Sequence, residues 1–394
     1  MQPLHFDCNA TTAASDEVVE AMLPWLGRPG ANPSATHPAG QEAARAVRRA
    51  RESVAALVGT SKPSTIVFTS CGSESIAMAF RSAAAQRHGG GAPALAHSTV
   101  EHSATRKAAA REAGADGEVV LVPVDAEGQL DRDALGAAIA RRPALVSLIL
   151  VNNETGAIAD LDGVGHACRE AGTLLHVDAV QGPGKAPIDV EAIGCDYLSL
   201  SAHKFHGPRG IGVLYVRDGA PVTPLMVGGP QEEERRAGTE NVPAIVGLGV
   251  AAERARDLGT SGSAQAELAA RRDRLEAAIL AGCPGARVHG GTRRAANVTN
   301  IGFDLTGTGL DATALLGLLH GQGIEVSAGS ACNSTRMAPS PVLVAMGLDE
   351  AAASSALRLS LAHAGTPDAA TDEDVDRCAQ AVVEAYGTLA SLVP

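Results

Sequence analysis

The most constraining feature of this sequence is a regular alternation of short β-rich runs with longer Ala-rich helical segments between about residues 60 and 216. Nearly all residues in the β-rich runs are apolar, which is typical of parallel strands that helices cover on both faces. The seven runs are 65–69, 93–97, 118–122, 144–151, 174–178, 197–201 and 211–216. The pattern predicts an α/β domain with a mainly parallel, seven-stranded sheet. In such a sheet, functional side chains gather beyond the carboxyl ends of the strands.

The organisation of the chain changes near residue 259. A helical pattern over 243–258 leads into the small, polar segment 259–263, which is the best candidate for a linker. Beyond it, helical patterns and strand-like runs mix without the earlier alternation, which predicts a smaller α+β domain. We therefore expect a large domain over residues 15–258, and a small domain formed by residues 1–14 together with residues 259–394.

Composition excludes several classes of protein. With 394 residues, 45% hydrophobic and 19% charged, the chain is not disordered, and it has no apolar run long enough to span a membrane. A net charge of −12 argues against a nucleic-acid binder with a broad basic face. Seven widely spaced cysteines without a C-x-x-C pair favour free thiols in a reducing cytoplasm over disulfides or zinc. No secretory signal is visible, so we expect a cytoplasmic protein.

A lysine follows one predicted strand, in the segment Ser199-Leu200-Ser201-Ala202-His203-Lys204. The chain has only four lysines, at positions 62, 107, 185 and 204, so a reaction that needs an amine has few candidates. An amine that attacks a carbonyl must be accessible, and its neighbours must lower its pKa. On spacing alone, an ordinary surface lysine at a strand end remains the more frequent explanation.

Two further segments with chemical potential lie at strand ends. Asp178 ends the strand-like run 174–178, where a carboxylate could pair with the ring nitrogen of a pyridine cofactor or cap the following turn. Residues 68–75 are typical of a strand, a small-residue turn and a helix start, where a phosphate is favoured. An ordinary N-cap explains the same turn equally well. Each signal is weak alone, but their order along one sheet seldom arises by chance.

The motifs together resemble those of one known family. From Asn9 to Leu361, the chain is similar to the cysteine desulfurases of the class V aminotransferase group, which are pyridoxal 5′-phosphate (PLP) enzymes. The motifs that carry the resemblance are Asn152-Asn153-Glu154-Thr155-Gly156, His176-Val177-Asp178-Ala179, Ser201-Ala202-His203-Lys204 and Ser327-Ala328-Gly329-Ser330-Ala331-Cys332-Asn333-Ser334. The resemblance implies PLP-dependent transferase fold type I: a large domain on the seven-stranded sheet and a smaller α+β domain that carries a cysteine loop at about 327–341.

The resemblance also implies how the cofactor is held. Lys204 would bind PLP covalently and later move the Cα proton of the substrate as a general base. The other implied ring contacts are Asp178 to the pyridinium nitrogen, Gln181 to the phenolic oxygen and His102 stacked on the ring. The implied phosphate ligands are Gly72, Ser73, Ser201 and His203, completed by Thr239 of a second copy, so a homodimer is expected. Without the family, His102 is typical of a solvated histidine at a helix start.

The implied substrate contacts are a carboxylate site and a thiol. Asn153 and Arg358 would hold the carboxylate of L-cysteine, which suits the fork of a guanidinium group. In isolation, Arg358 is typical of a paired surface residue on a strand. Cys332 would be the nucleophile, in a stretch too rich in Gly, Ser, Ala and Pro for a regular element. The arm 327–331 could extend about 17 Å. A free loop thiol is the alternative, and the group that generates the thiolate is not identified.

The implied reaction removes sulfur from L-cysteine and leaves L-alanine and a persulfide on Cys332. The sulfur then passes to an acceptor protein or pathway enzyme that the sequence does not identify; no metal, nucleic acid or membrane is expected to take part. Two alternatives stay open. One is a selenocysteine lyase or a PLP-dependent C–S lyase on a cysteine-derived metabolite, and the other is a catalytically silent scaffold or binding subunit. The presence of both Lys204 and Cys332 weighs against the silent subunit.

The sequence departs from the family pattern in three places. Cys71-Gly72-Ser73 replaces the usual Gly-Ala-Thr but keeps the hydroxyl group. Ile76 and Ala77 replace a usually polar pair, and Pro230 replaces a third glycine in the acidic loop 228–236. We interpret these changes as hints of a specialised member that supplies sulfur to one biosynthetic pathway instead of general iron–sulfur cluster assembly. The acidic run could also be a solvated turn.

Overall fold

The alternating segment forms a seven-stranded sheet, as the sequence predicts. The structure, a computed structural model, describes residues 3–86, 94–305, 311–328 and 338–391. Its strands are β1 (Leu4–His5), β2 (Ile66–Thr69), β3 (Ala94–Ser98), β4 (Glu118–Val122), β5 (Leu145–Ile149), β6 (Leu174–Asp178), β7 (Tyr197–Ser201), β8 (Gly212–Val216), β9 (Arg287–His289), β10 (Val298–Gly302), β11 (Ile324–Glu325) and β12 (Ala356–Ser360). The large sheet has the order β2-β8-β7-β6-β5-β3-β4. Strands β3 to β7 are parallel, whereas β8 is antiparallel to both of its neighbours.

Helices cover both faces of this sheet. They are α1 (Asp16–Leu26), α2 (Pro38–Val58), α3 (Gly72–Ala84), α4 (Ser103–Ala113), α5 (Arg132–Ala140), α6 (Val164–Ala171), α7 (Val190–Ile193), α8 (Val242–Thr260), α9 (Gly262–Gly282), α10 (Ala312–Gly321), α11 (Pro341–Ala345), α12 (Glu350–Ser354) and α13 (Asp372–Ala390). Neighbouring residues of one strand belong to different cores: Val146 of β5 packs in the core that contains Val54 of α2, whereas Leu145 packs in the core of Phe80 of α3. Burial on both faces explains why the strands are continuous apolar runs.

The remaining strands bring the two ends of the chain together. Strands β9, β10 and β12 form an antiparallel sheet in the order β12-β10-β9, and β1 pairs with β11 in parallel. Phe6 lies in the same apolar core as Leu275 of α9 and Val382 of α13. The N-terminal segment therefore packs with the C-terminal part of the chain, and residues 7–12 pass from this region to the edge of the large sheet. The division into two domains at residues 15 and 259 stays a prediction.

The segment 259–263 differs from its predicted role as a linker. Helix α8 continues to Thr260 and α9 begins at Gly262, so only Ser261 separates the two helices. The Ser261 hydroxyl accepts a hydrogen bond from the Ala264 N–H group at 3.3 Å and caps α9. The small, polar composition of the segment therefore reflects helix capping and a tight helix junction. In the described part of the chain, no helix is long and apolar enough to cross a membrane.

Candidate active site

Lys204 lies one turn beyond a strand end, as the sequence predicts. Strand β7 ends at Ser201, and Ala202–Lys204 form a 3₁₀ turn. The Lys204 Nζ atom donates hydrogen bonds to the backbone carbonyl groups of Asn9 and Ala10, both at 2.7 Å. Its side chain lines a cavity whose other walls come from the N-terminal segment, the loop after β6, helix α8 and the C-terminal part of the chain. The amine therefore lies where the N-terminal segment, the loop after β6 and the C-terminal part of the chain meet.

Burial lowers the pKa of the Lys204 amine. Desolvation and, to a lesser degree, the positive charge of Arg358 lower its pKa to about 8, although the charges of Asp7 and Asp178 act in the opposite direction. An amine with such a pKa is partly neutral, and hence nucleophilic, near neutral pH. The fold therefore excludes the interpretation of Lys204 as an ordinary surface lysine, which its position at a strand end alone would allow.

Asp178 is a buried carboxylate at the carboxyl edge of the sheet. It ends β6, is only 3% exposed and pairs with Ile149 of β5 and Ser199 of β7. Desolvation raises its pKa to about 6, while the Val180 N–H group and the charge of Lys204 lower it. Oδ1 accepts the Val180 N–H at 3.1 Å, so the capping interpretation is correct. Oδ2 accepts no hydrogen bond from a described residue, which leaves it for a further donor.

Gln181 and His203 are held by the N-terminal segment and by a second lysine. The Gln181 Nε2 group donates to the Asn9 carbonyl at 2.9 Å, and its Oε1 accepts from Lys185 Nζ at 2.5 Å. His203 Nδ1 and Thr11 Oγ1 lie 3.1 Å apart. Desolvation and then neighbouring positive charges lower the pKa of His203 to about 4, so its ring is neutral at pH 7. A neutral imidazole can still donate one hydrogen bond to an anion.

His102 caps a helix. Its Nδ1 accepts the Ala104 N–H group at 3.1 Å, and the residue is exposed at the start of α4. Desolvation, followed by the positive charges of Lys204 and Arg106, lowers the pKa of His102. His102 is thus an exposed histidine at a helix start, and its stacking role stays a prediction.

The start of α3 has the features of an anion site. Its N-cap residue is Cys71, whose side chain makes no capping hydrogen bond. The interpretation of this turn as an ordinary N-cap is therefore wrong. The first N–H groups of the helix therefore remain available at its positive end. A Cβ atom on Gly72 would lie 2.7 Å from Val180 Cγ2 and 3.5 Å from Ser201 Cβ. Glycine thus lets the helix approach the ends of β6 and β7, with Ser73 exposed beside it.

Arg358 and Asn153 are joined by a hydrogen bond. Arg358 in β12 is 4% exposed, which excludes the interpretation as a surface residue. Its Nη1 donates to the Asn153 carbonyl at 3.1 Å, and its Nη2 donates to Asp7 Oδ1 at 2.7 Å. The buried Nε group has no partner among the described residues. A buried guanidinium with a spare donor is suited to a carboxylate ligand.

The ends of the predicted cysteine loop lie beside these residues. Ser327 pairs with Arg358 of β12, and the Ser340 hydroxyl donates to Glu154 Oε2 at 2.5 Å. Both ends of the loop are thus anchored at the carboxylate site. Cys332 and residues 329–337 around it lie outside the described residues. The placement of Cys332 stays a prediction.

The remaining predicted positions are Thr239, Ile76 and the acidic loop. Thr239 is exposed on the segment before α8, where a second copy of the chain could reach it. Ile76 is 2% exposed on the buried face of α3. The isoleucine that stands in place of the usual polar residue therefore affects core packing and not the ligand site. In the acidic loop, Glu232 is buried whereas Glu233 and Glu234 are exposed, so the loop is only in part a solvated turn.

Three residues that sequence reasoning did not single out contribute to the site. Asp7 pairs with Arg358, the Asn9 carbonyl accepts hydrogen bonds from both Lys204 and Gln181, and Lys185 donates to Gln181. Asn9 lies in a motif of the family resemblance, and Lys185 is one of only four lysines. The rarity of lysine was the one signal that could have drawn attention to Lys185.

The cluster fits a pyridoxal phosphate chemically. Lys204 provides an amine of lowered pKa, and Asp178 provides a carboxylate with a spare oxygen atom. The uncapped start of α3 provides N–H groups for a phosphate. An amine, a ring-nitrogen partner and a phosphate site at one sheet edge are the three elements that this cofactor requires.

Comparisons with known proteins agree with this geometry. The sequence profile described as Aminotransferase class-V matches residues 4–377. A protein of Cereibacter sphaeroides named cysteine desulfurase is 42% identical over 396 residues, which cover 100% of this chain and 98% of that protein. A protein of Azotobacter vinelandii named cysteine desulfurase NifS is 39% identical, over 100% of this chain and 95% of that protein.

A solved structure has the same fold and similar length. A NifS-like protein superposes with a TM-score of 0.87 at 33% identity, covering 98% of this chain and 100% of the other. The chain therefore matches these proteins along almost its whole length, and the similarity includes the segments that contain Lys204 and Arg358.

Proposed function

We propose a mechanism from one premise: the chain belongs to the class-V aminotransferase family, and within that family it is a cysteine desulfurase. The prediction of the family and of its fold is thereby confirmed. The reaction removes sulfur from L-cysteine and releases L-alanine. PLP is the cofactor that we assign to the site, because the residues at the sheet edge fit it. When bound, PLP supplies an electron-withdrawing ring that makes the Cα–H bond of an attached amino acid acidic.

Lys204 and Asp178 are assigned the central roles. The Lys204 amine would hold the cofactor and, once free, would move the Cα proton of the substrate. Its lowered pKa suits both tasks, because the amine must be neutral to attack or to accept a proton. With a pKa of about 6, the Asp178 carboxyl group is mostly ionised at pH 7, so it can hold a proton on the ring nitrogen.

We assign the phosphate and the ring to neutral donors. The N–H groups at the start of α3, with the hydroxyl groups of Ser73 and Ser201, would hold the phosphate. His203, neutral at pH 7, would add a donor. Gln181 would donate to the phenolic oxygen, and the ring of His102 would stack on the cofactor. These assignments stay proposals, supported by the placement of each residue near the end of β3, β6 or β7.

The carboxylate of L-cysteine is assigned to Arg358 and Asn153. The spare Nε donor of Arg358 and the amide of Asn153 lie where both ends of the cysteine loop are anchored. We propose that the Cys332 thiolate attacks the substrate sulfur. The new S–S bond forms as the Cβ–S bond breaks, and the electron pair of that bond stays with the carbon skeleton. The carbon skeleton takes up protons and leaves as L-alanine, while the persulfide remains on Cys332.

The assembly and compartment are also proposals. The exposed apolar residues Leu225, Met226 and Val227 lie in the segment that leads to Thr239, which supports a homodimer with Thr239 completing the partner's phosphate site. The described cysteines are free thiols, which supports a reducing cytoplasm. Delivery of sulfur to one biosynthetic pathway is supported only by the altered loop at Pro230, and the acceptor is an unidentified protein or pathway enzyme.

One observation carries the proposed mechanism: a desolvated lysine amine lies beside a buried strand-end carboxylate and a buried guanidinium with a spare donor. The test measures L-alanine from L-cysteine, and sulfide after an added thiol reductant has released it from the persulfide, with L-selenocysteine and S-substituted cysteines beside it. We expect L-cysteine to be consumed, with a visible chromophore and all turnover lost in Lys204→Ala. The variant Lys107→Ala, which removes an exposed lysine, is the matched control. A chromophore without alanine production would contradict the proposed reaction.

A further inference from the structure

Lys185 is a second lysine in the same cavity as Lys204. It lies in the loop after β6, and both lysines line the same cavity. Its Nζ atom donates to Gln181 Oε1 at 2.5 Å and to Asn9 Oδ1 at 3.2 Å. Gln181 and Asn9 are 4% and 2% exposed, so neither acceptor can exchange this donor freely for bulk water.

The hydrogen bonds of Lys185 determine which way the Gln181 amide points. The Lys185 amine donates to the oxygen of the amide, which turns the amide nitrogen away from it. Nε2 then donates one of its two hydrogens to the Asn9 carbonyl, which leaves the other for a ligand. The same Asn9 carbonyl accepts from Lys204. Lys185 thus holds both Gln181 and the segment that contacts the reactive amine.

The cost of burying this ammonium indicates that it does more than fill space. Desolvation lowers the pKa of Lys185 to about 7, and the positive charges of Lys204 and Arg358 act in the same direction, opposed by Cys8. The titratable groups that line the cavity from the neighbouring elements are Cys8, Lys204, His206, Arg254 and His363. A buried cation beside a second cation is unfavourable unless its hydrogen bonds are used.

We propose that Lys185 is a positioning residue that holds Gln181 and Asn9 so that the Gln181 Nε2 group faces the phenolic oxygen of the cofactor. The inference rests on the proposed role of Gln181. A donor at that oxygen stabilises its ionised form, so the bound chromophore gives up its proton at lower pH. Removal of Lys185 or of the Gln181 amide then raises the pH at which the chromophore loses its proton by the same amount, because Lys185 acts through Gln181.

The test is a pH titration of the visible absorbance of the bound cofactor, which needs no substrate. We expect the midpoint to rise by about one pH unit in Lys185→Met and in Gln181→Leu, and to rise no further in the double variant. Lys185→Arg keeps the donors and should stay close to the wild type. Lys107→Met, on the exposed face of α4, is the matched control and should not shift.

Two results would overturn the proposal. One is a Lys185→Met midpoint equal to that of Lys107→Met, and the other is a double variant whose shift is the sum of the single shifts. If Lys185→Met does not fold, Lys185→Leu, which likewise has no donor, has the same expected shift. In cofactor-free protein, the Asn9 backbone N–H should exchange with solvent faster in the Lys185 variant, and unchanged exchange also counts against the proposal.

The outcome can be separated from that of the proposed reaction. A wild-type enzyme that binds PLP but makes no alanine from L-cysteine would contradict the reaction, while the titrations would still decide the role of Lys185. A wild-type protein that binds no PLP would overturn both. A shift in Lys185→Met alone, with none in Gln181→Leu, would show that Lys185 does not act through Gln181.

Discussion

Lys204 shows how a fold changes the chemistry of one residue. Its amine hydrogen-bonds to carbonyl groups of Asn9 and Ala10, which lie near the N-terminus and far from Lys204 in sequence, and burial desolvates it. Neither effect can be inferred from the residues next to it in the sequence. The strand-end position and the scarcity of lysine make Lys204 a candidate, and the family resemblance assigns it the reactive amine, but the tertiary structure determines its pKa.

The pKa of Lys204 leads to a prediction for cofactor attachment. In cofactor-free protein, the rate of chromophore formation after addition of PLP should rise with pH and level off above about 8, because only the neutral amine attacks. An ordinary lysine, with a pKa of about 10.4, would give a rate that keeps rising well beyond that pH. The growth of visible absorbance measures the rate, and Lys204→Ala should show none. A midpoint in the ordinary range for lysine would contradict the burial argument.

The residues missed from the sequence share one physical property. Asp7, Asn9 and Lys185 act through contacts with residues that are distant in sequence, such as Arg358 and Lys204. Roles of this kind depend on how the N-terminal segment crosses the sheet edge, which periodicity does not describe. By contrast, Asp178 and Lys204 could be recognised as candidates, because strand ends of a parallel sheet converge on one edge. Their proposed roles come from the family resemblance.

The start of α3 is an element whose geometry depends on a single missing side chain. A Cβ atom on Gly72 would lie 2.7 Å from Val180 Cγ2, closer than two carbon atoms can pack. Gly72→Ala should therefore lower the free energy of unfolding by about 1–3 kcal/mol and weaken PLP binding, because the helix start must move away from the strand ends. Gly136→Ala in α5 meets no atom within 4 Å and should stabilise by about 0.5–1 kcal/mol. Denaturant unfolding and PLP titration measure both effects, and equal behaviour of the two variants would contradict the account.

The acidic loop is held in an unfavourable backbone conformation by one buried side chain. Glu232, Glu233 and Glu234 have φ angles of 49°, 57° and 65°, and each such angle costs roughly 1–2 kcal/mol in a residue other than glycine. The Glu232 carboxylate accepts two hydrogen bonds from Arg51, at 2.7 and 2.8 Å, and one from the Phe68 N–H. These contacts offset the strain and fix the loop to β2.

Glu232→Ala should lower the free energy of unfolding by about 3–5 kcal/mol, because it leaves Arg51 partly buried without its partner. Glu234→Ala, at an exposed neighbour, is the control and should change it by no more than about 0.5 kcal/mol. Denaturant unfolding followed by far-UV circular dichroism compares the two. Similar values would show that the buried pair does not hold the loop.

Element types were predictable from the sequence, but their ends and junctions were less so. Continuous apolar runs gave the strands of the large sheet because each is buried on both faces. The segment 259–263 is typical of a linker by composition, yet it forms the junction of α8 and α9. Serine and glycine suit a linker and a helix cap equally, and only the packing of both helices distinguishes the two.

At the scale of the whole molecule, the site is proposed to need two copies of the chain. Thr239 is exposed and lies near the apolar residues Met226 and Val227. If Thr239 serves the partner's phosphate site, Lys204→Ala and Thr239→Asp should each abolish activity. A dimer with one chain of each kind, isolated by two affinity tags, would keep one intact site and about half of the wild-type rate. An inactive mixed dimer would contradict the shared site.

The central claim is that sulfur passes from L-cysteine to Cys332. Mass spectrometry of the peptides, after reaction with L-cysteine in the absence of reductant, tests it most directly. Among the described cysteines only Cys71 is not fully buried, which makes its peptide the internal control. The account predicts one added sulfur atom on the peptide that holds Cys332 and none on the peptide of Cys71. Alanine formation without sulfur on the Cys332 peptide, or with sulfur on Cys71 instead, would contradict it.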